Sequence, residues 1–447
     1  MKRLFFGTDG IRGVYGGSVV NEAFFARIGV AAARWLESRG VSAGKVVIGR
    51  DTRASGASLA RAVGAGVNQG GGRAVSVGIV PTPAVSRATR LNGAALGAVV
   101  TASHNPASDN GVKFFGADGA KLTDAEETEI ESLLPPSGGA PSAGFAELPG
   151  ESALEAYIEE AARILPPGSL RGWKVALDTA NGATSVSSPA VFAALGAEVS
   201  CVGNRPDGLN INEGVGSEHP EVLAALVLSS GARLGVAHDG DGDRCVLCDE
   251  LGKLLDGDEV LAILATHALA RRTLAHNTLV VTVQSNLGVD IAVRAAGGRV
   301  FRTDVGDRYV AERMRLEGAS LGGESSGHIL NFEFSPTGDG LAAALKVAGV
   351  MAETGRPLSE LRRVLKKCPQ LSATLGVHEK RPIESLSGLS AAVKRLEAEL
   401  GSGGRILVRY SGTEPKLRFL VEGPSDAVVR AGIDTLLAAA RADLGVP

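Results

Sequence analysis

A serine, an imidazole and an amine follow a short apolar run in the first quarter of the chain. The run at 94–102 is rich in alanine and valine and predicts a strand, and Ser103 and His104 come directly after it. The Asn-Gly pair at 110–111 is a turn signal, and a turn there would fold Lys113 back toward Ser103. This set predicts a nucleophile with proton carriers beside it. The alternative is an ordinary polar loop in which the serine caps a helix.

Three aspartates alternate with glycine after another predicted strand, at 233–237. In extended backbone, side chains two residues apart project to the same side, so Asp239, Asp241 and Asp243 are expected to share one face. Three like charges on one face require a cation, and carboxylate oxygens suit Mg²⁺. A calcium EF-hand is disfavoured because Arg244 stands where that motif needs glycine. A divalent-metal site is therefore predicted, with a solvated acidic turn as the alternative.

The loop at 322–328 combines a carboxylate, two hydroxyls and an imidazole on glycine-rich backbone. Glu324, Ser326 and His328 can exchange hydrogen bonds with sugar hydroxyls. A shorter loop at 303–308 has the same polar character. A polar surface turn is the alternative interpretation of the longer loop.

An anion-binding loop is predicted between the last two strands, at 409–418. Two arginines flank hydroxyls and a glycine there, and arginine makes bidentate contacts with phosphate. A hairpin turn with exposed charges is the alternative. The residues that could hold a phosphate are Arg409, Ser411, Gly412, Thr413 and Arg418.

The composition excludes several classes of protein. A net charge of −3 gives no basic field for nucleic acid, and no run approaches the roughly 20 apolar residues of a membrane span. Four scattered cysteines are too few for a disulfide framework, so a reducing cytoplasm is expected. Cys245 and Cys248 form a C-x-x-C inside a predicted strand, without the second pair that a zinc site needs.

Strands and helices alternate in three successive rounds, which predicts parallel sheets and an internally repeated architecture. The fold class expected is α/β: three similar α/β domains with mixed, mostly parallel sheets plus a C-terminal α+β domain, arranged around a central cleft. A chain of 447 residues is long enough for several domains. The predicted bounds are 1–150, 151–254, 255–368 and 369–447, and the stretch at 135–150, rich in proline, glycine and serine, is predicted to be a linker. Functional loops should follow the carboxyl ends of the strands.

Five motifs, in order, resemble those of the α-D-phosphohexomutases, and the resemblance covers essentially the whole chain. They are FGTDGIRG at 6–13, TASHNP at 101–106, DGDGDR at 239–244, GESSGH at 323–328 and RYSGTEP at 409–415. The resemblance implies an isomerase that moves a phosphoryl group between C6 and C1 of a hexosamine phosphate. It also implies a phosphoserine enzyme, a 1,6-bisphosphate intermediate and a product used in amino-sugar nucleotide synthesis.

The resemblance assigns roles to individual residues. It makes Ser103 the phosphoserine and, with Asp239, Asp241 and Asp243, a ligand of Mg²⁺. The other implied catalytic residues are Arg12, His104, Lys113 and His328, with either Lys113 or His328 as the implied proton carrier. The implied substrate-binding residues are Arg244, Thr303, Gly306, Glu324, Ser326, Arg409, Ser411, Gly412, Thr413 and Arg418. The implied activator is glucosamine 1,6-bisphosphate or glucose 1,6-bisphosphate.

The segments 6–13 and 210–213 resemble the branch of that family that acts on glucosamine phosphates. Ser325, Tyr410 and Gly242 depart from the residues usual in that branch. The expected partner is a small hexosamine phosphate, with neither nucleic acid nor membrane, and the sequence is compatible with a homodimer. Activity on mannose or glucose phosphates is the alternative within enzymes. A noncatalytic sugar-phosphate sensor is the alternative outside them, although a sensor could dispense with Ser103 or Lys113, which are both present.

Overall fold

The computed structural model describes residues 3–137, 150–411 and 415–446. The first unit is a five-stranded sheet in the order β1-β5-β4-β2-β3 with helices packed on it. Strand β2 runs parallel to β3 and β4, whereas β5 is antiparallel to β4 and β1. Its elements are β1 (Ile11–Val14), α1 (Glu22–Ser38), β2 (Lys45–Arg50), α2 (Gly56–Gln69), β3 (Arg73–Ile79), α3 (Thr82–Leu91), β4 (Leu96–Val100), β5 (Asp109–Gly116) and α4 (Asp124–Ser132).

Two glycines let helices α1 and α2 pack backbone against backbone. A Cβ on Gly66 would meet the Ala26 carbonyl oxygen at 1.9 Å, and one on Gly29 would meet the Val63 oxygen at 2.1 Å. Any larger residue would push the helices apart and open gaps in the apolar core beneath them. Part of the high glycine content therefore serves helix packing and not turns.

The second unit repeats the four strands β2 to β5, with sheet order β10-β9-β8-β6-β7, but its edge strand β10 follows β9 in the chain, whereas β1 begins the first unit. Strand β6 is parallel to β7 and β8, and β9 is antiparallel to β8 and β10. Its elements are α5 (Leu154–Ala162), β6 (Lys174–Asp178), α6 (Ser187–Ala194), β7 (Glu198–Val202), α7 (Pro220–Ser230), β8 (Leu234–His238), β9 (Cys245–Asp249) and β10 (Leu254–Leu255).

The third unit repeats it again, in the order β12-β11-β13-β14, with only β14 antiparallel. Its elements are α8 (Gly257–Arg271), β11 (Thr278–Thr282), α9 (Leu287–Ala295), β12 (Arg299–Thr303), α10 (Asp307–Glu317), β13 (Leu321–Gly323), β14 (Ile329–Asn331), α11 (Gly340–Thr354) and α12 (Leu358–Leu361). Short 3₁₀ helices lie at Ala275–Asn277 and Arg362–Val364. The predicted threefold α/β repeat is confirmed.

The last unit is a three-stranded antiparallel sheet in the order β15-β17-β16, with two helices against one face. Its elements are β15 (Gln370–Gly376), α13 (Ser387–Leu400), β16 (Arg405–Tyr410), β17 (Lys416–Glu422) and α14 (Asp426–Leu444). Two 3₁₀ turns lie at Ile383–Ser385 and Gly401–Gly403. Most of the predicted linker at 135–150 lies outside the described residues. In the described ranges, no helix is long and apolar enough to cross a bilayer.

Three of the four motif loops occupy equivalent places in the three repeated units. In each, the loop joins the third parallel strand to its antiparallel neighbour: β4 to β5, β8 to β9, and β13 to β14. The repeat therefore places one polar loop at the same edge of each of these three sheets. In the last, antiparallel unit, the motif loop joins β16 to β17.

The predicted turn at 110–111 is wrong, because both residues lie inside β5. A Cβ on Gly111 would meet the Ile11 carbonyl oxygen at 2.3 Å and that of Thr101 at 2.7 Å. Gly111 is therefore needed because the backbones of Ile11 and Thr101 approach β5 too closely there for a Cβ. The chain turns earlier, between β4 and β5. Lys113 still returns toward Ser103, because it pairs with Val99 on β4.

A buried carboxyl joins the second and third units. Asp339 caps α11 by accepting a hydrogen bond from the Ala342 N–H at 2.8 Å. The Tyr157 hydroxyl, from α5, lies 2.9 Å and 3.1 Å from the two Asp339 oxygens. Burial raises the pKa of Asp339 to about 6, although these hydrogen bonds oppose the rise.

This carboxyl should make stability fall as pH rises. Because its folded pKa is raised, its stabilising contribution is complete below the unfolded pKa and is lost as pH rises through about 6. Asp339→Asn keeps a capping oxygen but does not ionise, so its unfolding free energy should gain about 2 kcal/mol on that of wild type between pH 4.5 and 7.5, and its melting temperature should rise relative to wild type accordingly. Thermal melts across this range measure the difference. Asp118→Asn, an exposed carboxyl that also accepts a backbone N–H, is the control, and a pH-independent gap for Asp339→Asn would contradict the assignment.

Candidate active site

Ser103 stands at the start of the turn between β4 and β5, with its side chain fully buried. Its Oγ donates a hydrogen bond to Asp239 Oδ2 at 2.5 Å, and Nδ1 of His104 lies 3.5 Å from the same oxygen. The Ser103 N–H donates to Thr101 Oγ1 at 2.9 Å. The structure thus brings the predicted nucleophile of the first unit against the acidic loop of the second.

The aspartates do not lie on an extended strand as the sequence predicts. Strand β8 ends at His238, and the following residues form a tight turn in which the Gly242 N–H donates to the Asp239 carbonyl at 3.1 Å. Gly242 has a φ of +74°, which favours glycine. The turn nevertheless gathers the three carboxylates, because one oxygen from each of Asp239, Asp241 and Asp243 lies within 4.8 Å of the others.

The chemistry of this cluster fits a divalent cation. All three aspartates are buried, and within the described part of the chain neither Asp241 Oδ1 nor Asp243 Oδ1 has a hydrogen-bond partner. Burial raises the pKa of Asp239 well above its ordinary value, and the carboxylates of Asp241 and Asp243 raise it further. Buried, repelling oxygen donors of this kind are the ligands that Mg²⁺ favours.

Lys113 reaches the same cluster from β5. Its Nζ lies 2.7 Å from Asp241 Oδ2 and 2.8 Å from Asp243 Oδ2. Burial alone would lower the pKa of Lys113, but these two carboxylates outweigh burial and hold the pKa well above its ordinary value. The ammonium therefore adds a positive charge directly beside two of the three clustered carboxylates.

Arg12 and His328 are connected to this centre by residues that sequence reasoning missed. Arg12 forms an ion pair with Asp9, whose Oδ2 lies 3.9 Å from Lys113 Nζ. Asp9 also pairs with Lys121, which lies 2.6 Å from Asp307 Oδ2. Asp307 Oδ2 is in turn 3.3 Å from His328 Nε2.

The sequence motifs include some of these linking residues. Asp9 lies in the 6–13 motif and Asp307 in the 303–308 loop, whereas Lys121 belongs to none of the motifs. The resulting series of alternating charges runs along the border of the first and third units. It fixes Arg12 and His328 relative to the acidic cluster.

The predicted sugar-binding residues divide into buried and exposed positions. Glu324 is buried and accepts a hydrogen bond from the Gly306 N–H at 3.0 Å, so the two loops of the third unit are tied together. Burial raises the pKa of Glu324. Ser326 is exposed, and the partly exposed Thr303 donates to the Asp304 carbonyl at 2.8 Å.

Arg244 links the aspartate turn at 239–243 to the loop at 322–328. Its N–H donates to Asp239 Oδ1 at 3.2 Å, and its backbone forms a β-bridge with His328. The arginine side chain is partly buried, and its Nε has no hydrogen-bond partner among the described residues. A donor left in this condition is available to a phosphate or hydroxyl of a substrate.

The predicted phosphate cradle lies on the sheet of the last unit. Arg409 on β16 stands opposite Arg418 on β17, and they line a cavity of about 340 Å³ together with Gln284 and Thr374. Burial lowers the pKa of Arg409, and Arg418 lowers it further, whereas Asp304 acts in the opposite sense. Two adjacent cations in a cavity favour a dianionic ligand.

The remaining members of the cradle are only partly described. Ser411 is buried, and its carbonyl accepts a hydrogen bond from Lys380 Nζ at 2.7 Å. Gly412 and Thr413 lie outside the described residues. Ser411 directly follows β16 in the last unit, whereas Ser103 lies in the turn between β4 and β5 of the first unit.

Known proteins match the chain over its whole length. Four domain models of phosphoglucomutase/phosphomannomutase match in order: α/β/α domain I at 3–136, domain II at 155–252, domain III at 256–368 and the C-terminal domain at 350–439. A phosphoglucosamine mutase of Pelobacter propionicus is 43% identical over 100% of this chain and 99% of its own length. One of Moorella thermoacetica is 47% identical over 94% of this chain and 95% of its own.

Solved structures give the same result. The crystal structure of a phosphoglucomutase/phosphomannomutase family protein from Burkholderia thailandensis superposes with a TM-score of 0.83 at 26% identity, covering 98% of this chain and 97% of that one. The whole-length identities and the four matched domains agree with the four sheets and with the motif loops at their edges. The chain is a member of the phosphoglucomutase/phosphomannomutase family.

Proposed function

We propose that this enzyme interconverts glucosamine 6-phosphate and glucosamine 1-phosphate through a phosphorylated Ser103 and a 1,6-bisphosphate intermediate. The observation that carries the proposal is the buried Ser103 Oγ, 2.5 Å from Asp239 and beside two further carboxylates and Lys113. The sugar is supported by the full-length relatives named phosphoglucosamine mutase. The product would supply amino-sugar nucleotide synthesis, in the cytoplasm, where thiols such as the four free cysteines stay reduced.

Asp239, Asp241, Asp243 and the phosphate on Ser103 would hold Mg²⁺. When bound, the ion supplies charge neutralisation for the transferring phosphoryl oxygens. Lys113 adds charge on the same side, since its Nζ lies against Asp241 and Asp243. Phosphoryl transfer needs little from protein beyond such positioning and neutralisation.

Ser103 first donates a phosphoryl group to the sugar and then accepts one from it. In the first step, the bond between Ser103 Oγ and phosphorus breaks as the sugar hydroxyl forms its bond to phosphorus, and the sugar hydroxyl gives up its proton. In the second step, the other phosphate of the bisphosphate passes to Ser103 and the released sugar oxygen regains a proton. His104, within 3.5 Å of Ser103 Oγ, and His328, which lies 3.3 Å from Asp307, are the proposed proton carriers, with Arg12 orienting phosphate.

The substrate must turn around between these steps. Arg409 and Arg418 would anchor whichever phosphate is not reacting, with Ser411, Gly412 and Thr413. Glu324, Ser326, Arg244, Thr303 and Gly306 would face the sugar from the loops of the second and third units. Glucosamine or glucose 1,6-bisphosphate would serve as activator by phosphorylating Ser103.

Sugar preference tests the proposal. The kcat/KM for glucosamine 6-phosphate should exceed those for glucose and mannose 6-phosphates by about tenfold or more, because one polar substituent at C2 decides the contacts of a hydrogen-bonding site. The three substrates are compared in one assay with the same activator. A higher kcat/KM for mannose or glucose 6-phosphate would overturn the glucosamine assignment while leaving phosphoryl transfer intact.

A further inference from the structure

Ser103 is held in an unfavourable backbone conformation. Its φ is +52°, in the left-handed region that residues other than glycine, asparagine and aspartate adopt at a cost of roughly 1 kcal/mol or more. Such a conformation persists only where the surroundings enforce it. The contacts of the turn between β4 and β5 should therefore reveal what holds the nucleophile in place.

One of these holders is Arg53, whose side chain is fully buried. Its Nη2 donates to the Ser103 carbonyl at 3.0 Å and to the Asn105 carbonyl at 2.8 Å. Its Nη1 donates to the Asp109 carbonyl at 3.0 Å and also to that of Pro106. One guanidinium thus spans the whole turn.

Arg53 is itself fixed by Asp51. The Arg53 Nε lies 2.9 Å from Asp51 Oδ2, which also accepts the Thr101 hydroxyl at 2.7 Å. Thr101 in turn accepts the Ser103 N–H. The guanidinium is therefore oriented toward the carbonyl oxygens, and its buried charge is paired.

Asn212, from the second unit, also fixes this turn. Asn212 Nδ2 donates to the same two carbonyls, of Ser103 and Asn105, at 2.9 Å each. Close packing completes the contact, because a Cβ on Gly240 would lie 2.7 Å from the Ser103 carbonyl oxygen. The unit that carries the aspartates therefore grips the turn that carries the serine.

We propose that Arg53 and Asn212 are positioning residues, which clamp the Ser103 and Asn105 carbonyls and so keep Ser103 Oγ in register with Asp239. This inference rests on the proposed phosphoryl transfer. Neither side chain needs to touch the substrate, since both act through backbone oxygens. A nucleophile that drifts by about 1 Å loses on the order of 100-fold in rate, so the clamp should be visible in kinetics.

Asn212→Gly is the sharpest test. Asn212 has a φ of +60°, which glycine adopts without strain, so this change removes the amide alone. We expect kcat to fall by about 10- to 100-fold with KM within about twofold of wild type. The rate at which glucose 1,6-bisphosphate phosphorylates Ser103, followed by intact mass, should fall equally.

Thr52→Val is the matched control. The Thr52 hydroxyl donates to the Asn181 carbonyl at 2.6 Å, so it crosses the same border between units without contacting the turn. Its kcat and its Ser103 phosphorylation rate should stay within about twofold of wild type, at a melting temperature similar to that of Asn212→Gly. Arg53→Lys keeps the charge but cannot reach four carbonyls, and its loss in kcat should exceed that of Asn212→Gly.

The outcomes separate the clamp from the proposed function. Equal Ser103 phosphorylation rates in Asn212→Gly and Thr52→Val would overturn the clamp, as would a loss confined to KM or to melting temperature. A wild-type enzyme that is phosphorylated at Ser103 but converts no glucosamine phosphate would overturn the proposed function instead. In that case a slower phosphorylation of Asn212→Gly would still support the clamp.

Discussion

Ser103→Ala is expected to abolish phosphoryl transfer, with a loss on the order of 10⁴-fold or more in kcat. The Ser103 oxygen is the acceptor and donor of the transferred group, and no other hydroxyl shares its hydrogen bond to Asp239 in the described structure. The folded protein should persist, because alanine removes only one buried hydroxyl. Steady-state rates measure the loss of turnover, and intact mass after incubation with 1,6-bisphosphate measures the loss of phosphorylation.

Ser108→Ala is the control for this substitution. Ser108 belongs to the same turn, but it is exposed, and its Oγ lies 3.4 Å from Asp109 Oδ1. This variant should keep wild-type turnover and gain one phosphate from the bisphosphate. If Ser103→Ala still became phosphorylated and still turned over, the nucleophile would have to be another residue.

The repeated architecture was readable in the sequence because each strand and helix carries its own local pattern. The predicted strands at 94–102 and 233–237 overlap β4 and β8, which span Leu96–Val100 and Leu234–His238. Hydrophobic period and glycine punctuation report such elements directly. Sequence pattern also located the four loops, since each begins where an apolar strand stops.

Contacts between distant segments could not be read in this way. Arg53 contacts the Ser103 turn across 50 residues, and Asn212 does so across 109. Neither residue carries a local pattern that names its partner, and an arginine with no exposed surface departs from the usual preference of that residue. In the sequence the segment at 210–213 resembles only a branch signature, whereas in the structure Asn212 donates a hydrogen bond to the carbonyl of Ser103.

The three aspartates converge as the sequence predicts, but in a turn and not on an extended strand. Strand periodicity predicted that the three carboxylates share a face, but the chain leaves β8 at His238 and turns at Gly242. A turn can gather alternate side chains as well as a strand can, because what matters is the separation of the carboxylate oxygens. Composition supplies three carboxylates, and tertiary structure decides how they converge.

Asp241→Asn should cost about 100-fold or more in Mg²⁺ affinity and about 10³-fold in turnover at fixed Mg²⁺. Asp241 is buried; its Oδ2 receives Lys113 and the Thr82 hydroxyl at 2.6 Å, and its Oδ1 has no hydrogen-bond partner among the described residues. An amide supplies a weaker, neutral oxygen and places an uncharged group where Lys113 and a cation both need negative charge. Calorimetric titration with Mg²⁺ gives the affinity without reference to activity.

Asp207→Asn is the control for Asp241→Asn. Asp207 is exposed and lies in the same unit, so this substitution should leave the Mg²⁺ affinity unchanged. Chelation should stop turnover of wild type, and Mg²⁺ should restore it, whereas Asp241→Asn should need a far higher Mg²⁺ concentration for the same recovery. Wild-type affinity in Asp241→Asn would mean that the cation lies elsewhere. Full turnover of the chelated enzyme would mean that Lys113 and the arginines neutralise the transferring phosphoryl group by themselves.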